Sequence, residues 1–230
     1  MCGYVLTGRT NEHALFFAYG SGGNGKSVFL NAVAGVMGDY ATDAAMDTFT
    51  ATDQHPTGLA ALRGARLVTA TESEAGRHWA ASRIKKITGG DPITARFVRC
   101  DFFTFTPQFK AVIAGNHQPQ LRNVDDAMRR RLHMLPFVHK PRVVDRGLGE
   151  RLREEWPAIL RWMIDGALEW QQEGLRPPDA VVSATASYFD AQDLVGEFIG
   201  QHCERGPDHE CGVQALYQHW CDFMEDRGEK

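Results

Sequence analysis

The chain has 230 residues, a net charge of −4, 43% apolar and 23% charged residues, which exclude a disordered polypeptide and suit one sizeable α/β domain plus a small appendage. No apolar run approaches the roughly 18 residues of a membrane-spanning helix, and "MCGYVLTGRTNEHALFF" is not a basic-then-apolar leader, so a cytoplasmic protein with no membrane partner is expected. The charge is uneven: residues 77–131 hold eleven Lys or Arg against four acids, a basic middle in an acidic chain that suits the phosphates of nucleotide or DNA.

In chain order, "ALFFAYG" (14–20) reads as a buried strand ending in glycine, and "KSVFLNAVAGVMG" (26–38) as a helix stopped at Gly38. "ARLVTATESE" (65–74) predicts a second buried strand that ends in acids, and "RHWAASRIKKITGG" (77–90) a helix closed by its glycine pair. "DPITARFVRCDFFTFTPQF" (91–109), rich in β-branched and aromatic residues, predicts a β-hairpin. "FKAVIAGN" (109–116) and "LHMLPF" (132–137) give two more strands. Strands alternating with helices predict a parallel sheet with helices on both faces. After Pro141 the pattern is helical to the "RPPD" linker, and the acidic tail from about 180 is helical again. Five scattered cysteines (Cys2, Cys100, Cys203, Cys211, Cys221) imply reduced thiols, and the spacing of the last three fits buried structural residues better than a zinc module.

The stretch "GSGGNGKS", Gly20, Ser21, Gly22, Gly23, Asn24, Gly25, Lys26 and Ser27, lies between a predicted strand and a predicted helix. Its glycines let backbone N–H groups turn onto phosphate oxygens, and the helix points its positive end the same way. Lys26 would reach the β- and γ-phosphates of ATP and the Ser27 hydroxyl would hold Mg2+. Glu72 and Glu74 end the second strand, one for the metal and one for the attacking water; Glu72 is favoured for the metal, and the reverse assignment stays open. Asn116, ending the third strand, would orient water as a neutral amide. Of the cluster Arg129, Arg130 and Arg131, one arginine could serve a neighbour's γ-phosphate in a ring. In the hairpin, Arg96, Phe97 and Arg99, with Lys86 before it, pair cations with rings as single-stranded DNA requires, whereas most phenylalanines after Asp101 read as core.

The strings "GYVLTG", "GSGGNGKSVFLN", "GARLVTATESEAGR", "ITGGDPITARF", "FTPQFKAVIAGNHQP" and "RRRLHMLPF", in that order, resemble superfamily 3 helicases. They are most similar to the helicase module of phage and plasmid DNA primases, the group that includes the poxvirus-type primase-helicases. "ERLREEWPAILRWMIDGALEW" and "SATASYFDAQDLVGEFI" extend the resemblance over nearly the whole chain. It implies an AAA+-like ATPase core over residues 1–140, a helical extension over 141–178, and a helical segment over 179–230 that opens a shortened winged helix. It also implies a hexameric ring that draws single-stranded DNA through its channel, usually 3′ to 5′, for phage or plasmid replication in a bacterial cytoplasm. Carried over, the polar sensor is Asn116, the arginine finger is Arg130 or Arg131, and the channel hairpin lies around Arg96 to Cys100. The family often has an aromatic and a basic residue at the hairpin tip, where this chain has Arg99 and Cys100. A primase domain or protein outside this chain is a further expected partner. The alternative expectation is a truncated nucleotide-binding remnant that binds ATP or partners without unwinding DNA.

Overall fold

The computed structural model describes residues 1–50, 56–72, 78–121 and 125–227. They divide into a unit of residues 1–189 and a smaller one of residues 190–230.

The larger unit is organised by a five-stranded parallel sheet of β1 (Leu15–Tyr19), β2 (Ala41–Asp43), β3 (Leu67–Glu72), β6 (Lys110–Gly115) and β7 (Leu132–Pro136), in the order β2-β3-β6-β1-β7. Successive side chains of a strand point to opposite faces, and β1 shows the consequence. Leu15 and Phe17 join one core with Val68, Ile113 and Met134, while Phe16 joins the other with Leu67 and Val112. The second core is completed by α1 (Cys2–Val5), α2 (Lys26–Met37) and α7 (Trp156–Glu173), through Tyr4, Leu30, Val33, Met163 and Trp170. The first is covered by α4 (Ala81–Gly89) and by Tyr188 and Phe189 of α8 (Asp179–Gln192). Both faces are buried, which explains why these strands read as continuous apolar runs.

The remaining elements are α3 (Pro56–Ala60), the hairpin β4 (Ile93–Ala95) with β5 (Phe103–Phe105), α5 (Asp126–Arg129) and α6 (Leu148–Glu154). The hairpin is antiparallel, pairing Ile93 with Phe105, as its composition predicts. The helix expected from residue 77 begins at Ala81 instead. The backbone just before it is committed elsewhere: Trp79 N–H donates to Gln120 O at 3.0 Å and Ala80 N–H to Phe49 O at 2.9 Å.

The smaller unit contains α9 (Leu194–His202) and α10 (Val213–Asp226). The Phe198 ring meets Trp220 edge-on at 5.3 Å and Phe223 at 5.5 Å, and Arg227 donates to Glu197 at 2.8 Å. The described residues of this unit include helices and no strand. Its thiols are not the buried structural residues the spacing suggested, since Cys211 is exposed and Cys203 and Cys221 are half-buried around an aromatic core. No helix among the described residues is long and apolar enough to cross a membrane.

One charge is sealed beneath the sheet. Lys110, at the start of β6, is 2% exposed, and its ammonium donates to the carbonyls of Thr7, Arg9 and Gln108 while lying 4.7 Å from the centre of the Tyr4 ring. Burial, then the nearby Arg66 charge, lowers its pKa from 10.5 to about 7. The unfolded chain therefore binds more protons between those values, and this group's penalty on stability is full below about pH 7 and fades as pH rises towards 10.5. Lys110→Met should gain stability relative to the wild type as pH falls from 10 towards 7, read by urea unfolding across that range. A difference that does not vary with pH would contradict a buried, titrating Lys110.

Candidate functional site

The strand register decides which residues meet. Tyr19 of β1 lies opposite Gly115 of β6 and Pro136 of β7, and Glu72 of β3 lies opposite Gly115. The carboxyl ends of four parallel strands thus stand level, the rim on which such sheets gather ligands. A cavity of about 380 Å3 opens there, lined by Gly22 to Val28, Thr71, Glu72 and Ala114 to Asn116.

The loop after β1 takes its path because it is glycine-rich: Gly22, Gly23 and Gly25 have φ of 88°, 65° and 85°, the left-handed region that side chains disfavour. Gly25 is the N-cap of α2, so the first turn of the helix presents its free N–H groups to the cavity. Asn24 stitches the loop to the strand beyond, its amide donating to Phe137 O just past β7. A side chain at Gly20 would collide with that amide and that carbonyl.

Lys26 is the centre of the site. It is 6% exposed, and its ammonium donates to Gly20 O at 2.8 Å, Asn24 Oδ1 at 2.9 Å and Asn116 Oδ1 at 3.2 Å. All three partners are neutral oxygens, and burial lowers its pKa from the ordinary lysine value. The cation thus sits in a cradle of backbone N–H groups with no carboxylate bound to it among the described residues, an arrangement that fits a polyanion such as a polyphosphate.

Glu72 is also 6% exposed, and its Oε1 accepts from the Trp79 indole N–H at 3.4 Å. The exposed Ser27 hydroxyl lines the same cavity, so a hard cation between phosphate and protein would find oxygen donors on Ser27 and Glu72. Glu74 lies outside the described residues. Ser21 is exposed and does not line the cavity, and Gly20 contributes its carbonyl alone.

The arginines are elsewhere. Arg131 O accepts from Leu15 N–H at 2.7 Å, which puts the cluster at the opposite end of β1 and β7 from the glycine loop. Five residues of strand separate them by roughly 16 Å at about 3.3 Å per residue. The Arg131 guanidinium donates to Ala127 O at 2.8 Å and Thr88 Oγ1 at 3.2 Å, and Arg129 lies over the Phe189 ring at 5.0 Å. Arg130 is exposed, and its side chain makes no hydrogen bond or ion pair among the described residues.

At the hairpin, Arg99 turns with φ of 59°, Phe97 is 47% exposed, and Arg96 lies over the Phe102 ring at 4.8 Å. Of the phenylalanines after Asp101, most of which were expected in the core, Phe102 is 59% exposed, because this two-stranded hairpin lies outside the main sheet. Lys86 is exposed on α4. Two further residues come from outside the motifs. Trp79 steadies Glu72, and the side chain of Lys140, three positions past Phe137, runs within 3.3 Å of where a Gly23 Cβ would be. Lys140 follows the strand next to β1 in the sheet, the one cue to its place that the sequence offered.

Residues 18–131 match a family described as "Family of unknown function (DUF5906)". The chain is similar to two curated viral proteins. It is 27% identical to "Putative helicase L207/L206" of Acanthamoeba polyphaga mimivirus, over 96% of this chain and 26% of that protein. It is 24% identical to "Putative helicase 022R" of Frog virus 3 (isolate Goorha), over 95% of this chain and 25% of that protein. The chain thus spans about a quarter of the length of the curated relatives it matches. Among solved structures, the A-form apo structure of the NrS-1 C-terminal region superposes with a TM-score of 0.61 at 9% identity, over 84% of this chain and 45% of that one. A second apo structure of that region (305–718) gives 0.57 at 9% identity, over 80% of this chain and 44% of that one. At that identity the likeness establishes the fold: an α/β unit with a parallel sheet flanked by helices.

Gly115 is the tightest point of the rim, since a Cβ there would lie 2.6 Å from Phe17 Cζ and 3.2 Å from Glu72 Oε2. Gly115→Ala should destabilise the protein by about 1–3 kcal/mol, the usual range for overpacking a core, measured by urea unfolding. A neutral result would show that the ring and carboxylate can move aside.

Proposed function

We propose that the protein is an ATP-driven DNA helicase or translocase module acting in viral, phage or plasmid DNA replication, with its ATP site shared between copies of a hexameric ring. The observation that carries this reading is the buried Lys26 ammonium, held by three neutral oxygens in a glycine cradle, with Glu72 and Asn116 on the same rim. The names of the two viral relatives and the superfamily 3 resemblance supply the class of motor.

With ATP in the cradle, Lys26 exchanges Asn24 and Asn116 for β- and γ-phosphate oxygens, a stronger charge-assisted contact. Asn116 is then released to orient the attacking water. Mg2+ supplies charge neutralisation at the phosphates, and Ser27 and Glu72 are the residues that would hold it. Glu74 remains the proposed partner for the water. Arg130, exposed and a strand's length from its own loop, is suited to a neighbour's γ-phosphate, whereas Arg131 is already engaged. Phe97 and the cations Arg96, Arg99 and Lys86 are the proposed grip on single-stranded DNA.

Single-stranded DNA should raise the ATPase turnover of the purified protein. Binding of ATP without hydrolysis, or turnover indifferent to DNA, would favour the nucleotide-binding remnant over the motor. Lys26→Ala and Arg130→Ala should each be nearly inactive alone, and mixing them should restore part of the turnover, because intact half-sites then meet across an interface. Mixtures no more active than the separate variants would rule out Arg130 acting in trans.

A further inference from the structure

A second cavity, of about 500 Å3, lies beside the phosphate cavity and belongs to no motif in the sequence. Its volume is in the usual range for a small-molecule site. Consecutive residues of α2 face the two spaces, Val28 the phosphate cavity and Phe29 this one. Phe137, whose carbonyl holds Asn24 of the glycine loop, shares the wall with its ring 5.6 Å from that of Phe29.

The facing wall is α7, where Trp162 and Glu169, seven residues apart, lie on one side of the helix. Trp162 is 60% exposed, a large ring with a free face. Trp170 is fixed instead, its indole N–H donating to Glu12 at 2.9 Å. Three carboxylates line the cavity and two are occupied: Asp165 by Arg161 at 3.1 Å, and Glu173 by Arg176. The Glu169 carboxylate makes no hydrogen bond or ion pair among the described residues.

We propose that this cavity is the base pocket of the nucleotide whose phosphates the glycine loop holds, and that it prefers an amino-bearing base (adenine, guanine or cytosine) to uracil. The inference rests on the phosphate-site reading above. An ionised carboxylate only accepts hydrogen bonds. It therefore pairs with an exocyclic amino group and repels the O4 acceptor of uracil, the logic by which carboxylates read base edges elsewhere. Trp162, Phe29 and Phe137 supply the apolar rings on which a base stacks. Three residues of α2, about 4.5 Å of rise, separate Lys26 at the phosphate cavity from Phe29 in the wall of this one, leaving the sugar to bridge them.

Calorimetric titration of the purified protein with ATP, UTP and inorganic tripolyphosphate tests the proposal. The wild type should bind ATP more tightly than UTP. Trp162→Ala should weaken ATP by roughly 5- to 100-fold, the usual worth of one stacking ring, and leave tripolyphosphate unchanged, with Trp162→Phe restoring most of the loss. Glu169→Gln, whose amide can donate to O4, should narrow the gap between ATP and UTP. If tripolyphosphate binds in a Lys26-dependent way while ATP and UTP bind alike and neither α7 variant changes them, the base pocket is wrong and the phosphate site stands. If neither ATP nor tripolyphosphate binds, both are wrong.

Discussion

An ammonium group withdrawn from water is costly unless its protons are taken up, and Lys26 meets that condition by drawing acceptors from separate parts of the chain. Gly20 gives its carbonyl, Asn24 its side-chain oxygen and Asn116 the end of β6. Each contact depends on a different packing decision. The parallel pairing of β1 with β6 brings Asn116 alongside, and the pairing of β1 with β7 brings Phe137 O to hold Asn24 in place. Hydrogen bonds to a charged group are worth about 1.5–3 kcal/mol each, so the loop, the third and the fourth long strands are fastened together through one cation.

The same crowding explains where the chain tolerates no side chain. Gly20 leaves room for the Asn24 amide to reach Phe137, and Gly115 leaves room for both the Phe17 ring and the Glu72 carboxylate. These glycines serve close approach, unlike Gly22, Gly23 and Gly25, which serve a left-handed turn. The Lys26 contacts are also provisional by chemistry. Neutral oxygens are weaker partners than phosphate, so a polyanion would both displace them and free Asn116, linking occupancy of the cradle to the placement of its amide.

Much of this was legible in the sequence because it is local or periodic. The long strands are apolar runs since both faces of the sheet are covered, and the glycine loop is a contiguous string. β2, three residues at the sheet edge and half-exposed, has no such run and left no signal. The start of α4 was misread because bridges to Gln120 and Phe49 hold residues 78–80, a tertiary effect no helical pattern encodes. Phe102 is the exposed exception among phenylalanines whose pattern suggests core, because its hairpin lies outside the main sheet. Trp162 and Glu169 stand more than 130 positions from the glycine loop, and only the packing of α7 brings them to its flank. Lys140 is similar, placed beside Gly23 by strand order.

Equilibrium unfolding with and without Mg2+ and ATP reads the cradle directly, because a ligand that binds only the folded state stabilises it in proportion to the logarithm of its saturation. With ATP at a hundred times its Kd, the wild type should gain about 2.7 kcal/mol, and Lys26→Ala at the same concentration should gain little or nothing. Equal stabilisation of both proteins would contradict a phosphate site centred on Lys26.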